Sequence, residues 1–183
     1  MVTDNPDLAG RLRRIRNHGE SATQKYQWDI LGSNLRMTDI AACLGLSQIR
    51  RRHQILGSRR DVIHRYMDQA VLAQFALPYY HSTSHQPNGF TFTVRLQNRN
   101  RVQRKLTEAG VETRVMWYPC LDRQPLYKVL PFRSGGRLEN ARSFSESCLS
   151  LPLHARLRTR DVCRIAAILE AAMCESSGGK AIC

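Results

Sequence analysis

The chain has 183 residues, of which 42% are hydrophobic and 23% charged. That is the balance of a folded globular protein, and it argues against a disordered, collagenous or disulfide-built chain. Twenty-eight Lys plus Arg against fifteen Asp plus Glu leave a formal charge of +13, which raises nucleic acid or another polyanion as a partner. No run of about 18 apolar residues reads as a membrane-spanning helix. Met1 to Pro6 lacks the basic and apolar regions of a signal peptide, so the expected location is the cytoplasm.

In chain order, Asp4 or Asn5 is placed to cap a helix with Pro6 at its first position, and Leu8, Leu12 and Ile15 share one stripe. His18-Gly19 ends it. After a polar stretch, Thr38 opens the longest periodic segment, with Ile49, Leu56, Ile63 and Ala70 recurring every seventh residue. This predicts one helix from about Thr38 to about Phe75, bent at Gly57. Alternation of Phe90, Phe92, Val94 and Leu96 with polar residues predicts a strand. Asn98 is expected to cap a helix ending at Gly110, and Val111 to Met116 reads as a second strand. A short helix near Gln124 to Val129, a turn at Ser134 to Gly136 and a helix from Leu138 to Cys148 follow. Leu149 to Pro152 forms a third strand. Thr159 caps a last amphipathic helix, and Glu175 to Cys183 frays. The fold class is α+β: residues 1–76 form a helical part, 77–174 a small α+β domain with about three strands, and 175–183 a tail.

The charge has a bland explanation. Only Lys25, Lys105, Lys128 and Lys180 are lysines, so twenty-four cations are arginines, spread through every segment. The clusters Arg11 to Arg16 and Arg50 to Arg52 fall on helix faces that the apolar stripes leave in water. With no helix-turn-helix, zinc finger or aromatic RNA-binding motif beside them, nucleic acid is disfavoured. The six cysteines show no C-x-x-C spacing and are expected to be reduced, partly buried thiols. The pair His81 and His85 lacks a third ligand, so no metal is expected. No P-loop, G-x-G-x-x-G or G-x-S-x-G pattern occurs. The remaining feature is Leu31-Gly32-Ser33-Asn34-Leu35-Arg36-Met37-Thr38 at the start of the long helix. Free amides, the helix dipole, Asn34 and Arg36 suit a phosphate. An ordinary cap with a solvent-facing arginine accounts for the same residues, and both readings stand.

Five stretches resemble the DegT-type pyridoxal-phosphate aminotransferases that aminate keto sugars carried on nucleotides. They are Met1 to Ala9 with Arg16-Asn17-His18-Gly19; Leu31 to Ala42 with Leu44-Gly45-Leu46; Gly110-Val111-Glu112-Thr113-Arg114; Tyr118-Pro119 with Gln124-Pro125-Leu126-Tyr127; and Leu149-Ser150-Leu151-Pro152. The resemblance runs the length of the chain and covers the C-terminal half of a member of that family. It implies the later part of a fold-type I aminotransferase. It also implies that the chain begins past the family's cofactor-bearing lysine, for which Lys25 is not a substitute.

By the resemblance, Asn34 matches an asparagine that reaches across a dimer interface to the neighbouring subunit's cofactor phosphate, and Arg36 supports it. Arg114 and Tyr118 match the sugar-nucleotide side in perosamine-type members. Ser33, Phe90 and Trp117 depart from residues common at their positions. The implied cofactor is pyridoxal 5'-phosphate, weakly held or not held by this chain alone. The implied ligands are a nucleotide sugar and a donor such as glutamate. Two expectations follow: a truncated sugar aminotransferase inactive alone, or a non-catalytic chain pairing with a full-length relative. Either leaves an apolar helix face uncovered, with self-association as its result.

Overall fold

A computed structural model describes residues 2–82, 84, 86–129 and 136–174. The expected tail 175–183, His85 and most of the expected turn at Ser134 to Gly136 lie outside the described residues. The chain packs as two units, one running to Arg52 and the other from His53.

In the first unit, α1 spans Pro6–Arg16, with Leu8 N donating to Asn5 Oδ1 at 3.0 Å and Pro6 at its first position. Its C-terminus closes through His18 and Gly19, at φ 63° and 81°, with Gly19 N donating to Arg14 O at 2.8 Å. Helix α2 spans Asp39–Arg50 and is capped by Thr38, whose Oγ1 accepts from Ala41 N at 3.2 Å. Every residue of α2 is exposed.

The single helix expected from Thr38 to Phe75 is three: α2, α3 (Arg52–Met67) and α4 (Ala70–Phe75). The interruption falls at Arg51, not Gly57, which sits inside α3. Arg51 turns to φ −95°, ψ 4°, and Arg52 Nη1 donates to the Ile49 carbonyl at 3.3 Å. A side chain taking that carbonyl competes with the helical ladder. A second break comes at Asp68 and Gln69, where Gln69 is extended, and Leu72 beyond it is fully buried.

In the second unit, β1 (Phe92–Arg95) pairs antiparallel with β2 (Cys148–Leu151), Phe92 opposite Leu151 and Thr93 opposite Ser150. The second expected strand, Val111 to Met116, shrinks to one antiparallel bridge, Arg114 to Ser150, while the third is β2. Residues 111–116 are claimed from both sides. Val111 N donates to Leu106 O at the end of α5 (Arg99–Glu108), and Trp117 turns the chain at φ 62°. Helices α6 (Leu126–Val129), α7 (Glu139–Ser147) and α8 (Thr159–Cys174), with short 3₁₀ turns at Pro78–His81 and Leu121–Arg123, complete the described elements. Two expected caps differ. Asn98 occupies the cap position of α5 without a side-chain bond. At α8 the cap contact is made by Asp161, whose Oδ2 accepts from Arg158 N at 2.9 Å.

The core lies between this small sheet and α3, α4, α5 and α8. Val62, Tyr66, Leu72, Phe92, Val94, Leu106, Leu149, Val162 and Leu169 are fully buried, each contributing roughly 1.5–3 kcal/mol of transfer free energy for its larger apolar side chains. The Tyr66 and Phe92 rings stack with centroids 4.5 Å apart, and Tyr80 tilts against Phe92 at 4.6 Å. Both tyrosine hydroxyls find acceptors: Tyr66 donates to Pro152 O and Tyr80 to Thr91 O, each at 2.7 Å. Burial pushes both hydroxyls up, so they stay protonated donors. Between the strands, the Thr93 and Ser150 hydroxyls meet at 3.1 Å. Cys148 is buried, while Cys43, Cys163 and Cys174 are exposed free thiols. No helix among the described residues is long and apolar enough to cross a membrane.

Candidate functional site

Asn34 is set in place by the way the segment after α1 folds back on that helix's end. His18 N donates to Ser33 O at 3.0 Å, Ser33 N to Ile15 O at 2.9 Å and Leu35 N to Arg16 O at 2.9 Å. Asn17 and Asn34 therefore form an antiparallel bridge. The closeness of the two segments requires two glycines. A Cβ on Gly19 would strike Ile30 O, and one on Gly32 would strike the Gly19 amide. The intervening loop is held by Arg14 Nη2 on Asp29 at 2.9 Å and by Glu20, which accepts from Asn17 Nδ2 and Tyr26 N, both at 2.9 Å.

On this support Asn34 Oδ1 accepts from Arg36 Nε at 3.1 Å and from Arg36 N at 3.4 Å. The acceptor end of the amide is occupied, which leaves the Nδ2 donors and the outer guanidinium nitrogens of Arg36 exposed to solvent just before α2. An exposed pair presenting only donors at a capped helix start suits a phosphate group. It offers nothing that could bond covalently to a cofactor. Lys25 stands in the loop with its Nζ 5.1 Å from the Tyr26 ring centroid.

The other two sequence-derived residues lie in the second unit. Arg114 lines a cleft of about 270 Å³ together with Phe90, Thr91, Glu112, Ser150 and His154. Its backbone is fixed by Arg114 N to Ser150 O at 3.0 Å and Ser150 N to Arg114 O at 2.9 Å. Its exposed guanidinium meets Glu112 at 3.4 Å. Tyr118 is not among the cleft's lining residues. Its ring lies under the Arg99 guanidinium, 4.6 Å from centroid to cation, and it precedes Pro119 through a cis peptide bond. Ser145 Oγ donates to Trp117 O at 2.7 Å and ties this turn to α7. The 3₁₀ turn at Leu121–Arg123 is tied to the same helix through Asp122, which accepts Arg142 Nε and Nη2 at 3.0 and 2.8 Å. Hydrogen bonding from the Cys120 thiol and from Arg142 holds the Asp122 carboxyl below the usual carboxylate range. The same carboxylate raises the Cys120 thiol.

Sequence reasoning passed over Glu112 and His154 as cleft residues and Arg99 as the partner of Tyr118. Arg99 carries no motif, and only its place directly after the Asn98 cap position marks it. No cluster of three or more metal-type side chains occurs among the described residues.

Residues 1–170 match the DegT/DnrJ/EryC1/StrS aminotransferase family. The GDP-perosamine synthase of Caulobacter vibrioides is 30% identical over 93% of this chain and 46% of its own length. The dTDP-3-amino-3,4,6-trideoxy-alpha-D-glucose transaminase of Streptomyces venezuelae is 29% identical over 90% of this chain and 43% of its own length. Among solved structures, S. venezuelae DesV superposes with a TM-score of 0.74 at 29% identity, covering 93% of this chain and 46% of that one. The PLP form of the sugar aminotransferase Spr1654 from Streptococcus pneumoniae gives 0.77 at 25% identity, over 94% and 45%. The chain thus spans about half the length of the relatives it matches. By its sequence match and its architecture alike, the chain belongs to the DegT/DnrJ/EryC1/StrS aminotransferase family.

Proposed function

We propose that this chain is the part of a nucleotide-sugar aminotransferase that contributes phosphate donors to a pyridoxal phosphate site and one wall of a sugar-nucleotide site. The observation that carries this reading is the family match over residues 1–170. The donor-only Asn34 and Arg36 pair supports it independently. In this reading Asn34 Nδ2 and the Arg36 guanidinium hold the cofactor's phosphate. Arg114, in its cleft with Glu112 and His154, faces the anionic substrate, and Tyr118 is the second substrate-side residue. Pyridoxal phosphate, when bound, supplies the electron sink that lets an amino group pass between a donor such as glutamate and a keto carbon of the sugar.

The lysine that carries the cofactor is not among the four of this chain, so the 183 residues alone are expected to be inactive. Working sites then need a second polypeptide or a preceding segment, and a dimer in which Asn34 serves the neighbouring subunit's cofactor is the arrangement we favour. Complementation tests this. A full-length family member whose own matching asparagine is changed to alanine is co-expressed with this chain. A mixed dimer on size exclusion with restored cofactor retention is the expected result, and Asn34→Ala in this chain should abolish the restoration. Separate elution of the two chains, or equal rescue by Asn34→Ala, rejects the assignment. Transaminase turnover by this chain alone would reject its inactivity.

A further inference from the structure

A cavity of about 920 Å³ lies in the second unit, among α4, the end of β1, α5, α7 and the end of α8. Phe75, Leu96, Val102 and Met173 give it an apolar lining, and Leu96 and Val102 belong to the buried core. A second cavity of about 640 Å³ adjoins it through the shared residues Gln74, Phe75 and Arg95, and adds Leu77, Tyr79 and Phe144. Among the described residues no Asp or Glu lines either one, and Arg95 is the single charged residue of both linings.

The Arg95 guanidinium is held at the wall of the larger cavity by two residues that line it. Nε donates to Ser147 Oγ at 3.2 Å and Nη2 to Ser143 Oγ at 2.9 Å. Ser147 Oγ donates its own proton to Ser143 O at 2.7 Å, which turns its lone pairs toward the arginine. Both partners are neutral, and both sit on the Nε–Nη2 edge. The Nη1–Nη2 fork is left without an ion pair among the described residues, and Arg95 is exposed. That fork is the one that receives a carboxylate through two parallel hydrogen bonds. An oriented cation without a counter-charge, set in an apolar lining, suits a ligand with an anionic head and an apolar body.

We propose that this cavity binds an aliphatic carboxylate, with its head group on the Arg95 fork and its chain against Phe75, Leu96, Val102 and Met173. The guanidinium supplies selection for the anion, and the apolar lining supplies affinity for the chain. The cavity shares no lining residue with the Arg114 cleft, and the proposal does not depend on the aminotransferase reading.

Calorimetric titration of the full chain with octanoate, and separately with octan-1-ol, which has the same chain and no charge, tests it. Octanoate should bind the parent, and octan-1-ol at least about tenfold more weakly, the factor expected for losing charge-assisted hydrogen bonds. Arg95→Gln, at an exposed position, should melt close to the parent, lose the same factor for octanoate and leave octan-1-ol unchanged. Gln74→Glu, also at an exposed position, keeps the guanidinium but adds a carboxylate to both linings, and should weaken octanoate in the same direction. No binding heat with octanoate, or unchanged octanoate affinity in either folded variant, overturns the proposal. Equal binding of the two probes, unmoved by the variants, would overturn it as well, because the exposed apolar residues of α2 would then account for both.

Discussion

At the scale of single residues, Gly19 and Gly32 do more for the candidate phosphate site than the residues that would touch the phosphate. Asn34 and Arg36 are exposed and weakly constrained by packing. Their placing depends on two backbones approaching so closely that neither glycine can carry a Cβ. Gly32→Ala forces the 31–35 segment off the end of α1 and breaks the Ser33 to Ile15 and Leu35 to Arg16 hydrogen bonds. A loss of roughly 1–3 kcal/mol is expected from overpacking alone. Cofactor retention in the mixed dimer should fall as far as it does in Asn34→Ala, although Gly32 offers a phosphate nothing. Retention equal to that of the parent would show that the clasp is not what positions Asn34. Reading the sequence singled out Asn34, Arg36 and the Thr38 cap because each belongs to a local pattern, and of these the cap is observed. The Gly19 and Gly32 approach was not legible there, since it joins positions that no periodicity relates.

At the scale of elements, the turn after Tyr118 is pinned to α7 by Asp122 and Arg142, and that pin is pH-dependent. The folded-state carboxyl of Asp122 lies below its ordinary value of about 3.9. Its contribution is therefore fully present above that value and is lost as pH falls through the lower, folded-state value. Urea midpoints measured across the acid range should decline more steeply for the parent than for Asp122→Asn, whose turn is already weakened at neutral pH. Parallel pH profiles would remove Asp122 from the account. Elements set by local sequence were well read: α1 with its Asn5 cap, β1, α7, β2 and α8 appear within a residue or two of their expected places. Elements that depend on competition were not. The heptad-like spacing from Ile49 to Ala70 describes a continuous apolar stripe, and nothing in it reveals that Arg52 takes the Ile49 carbonyl. The 111–116 segment has strand-like composition. Its ends are drawn away by the α5 terminus and the Trp117 turn, leaving Arg114 as the single paired position.

At the scale of the whole molecule, the positive charge and the exposed apolar residues ask for different partners. The arginines of α1 and of the Arg50 to Arg52 run lie mostly in solvent, where they favour solubility. On α2, Ile40, Leu44 and Ile49 are 77%, 65% and 59% exposed. The expectation of an uncovered apolar face therefore holds on α2 but not on α3, which buries Val62, Ile63 and Tyr66. Sedimentation of the isolated chain should show concentration-dependent self-association, relieved in a variant with Ile40, Leu44 and Ile49 changed to glutamine. A parent that sediments as a monomer at all concentrations would mean that this face needs no cover.

The hydrogen bonds from Tyr66 to Pro152 and from Arg65 to Leu157 span 86 and 92 residues. A ribosome delivers α3 long before it delivers either acceptor. Throughout that interval the helix has its own ladder but neither tertiary partner, and the Tyr66 ring waits first for Phe92 and then for Pro152. The second unit cannot be completed progressively from its N-terminal end. Its closure is expected only once the chain past Leu157 has emerged, so stalled nascent chains that end before Leu157 should be cut by protease within α3 and longer ones protected there.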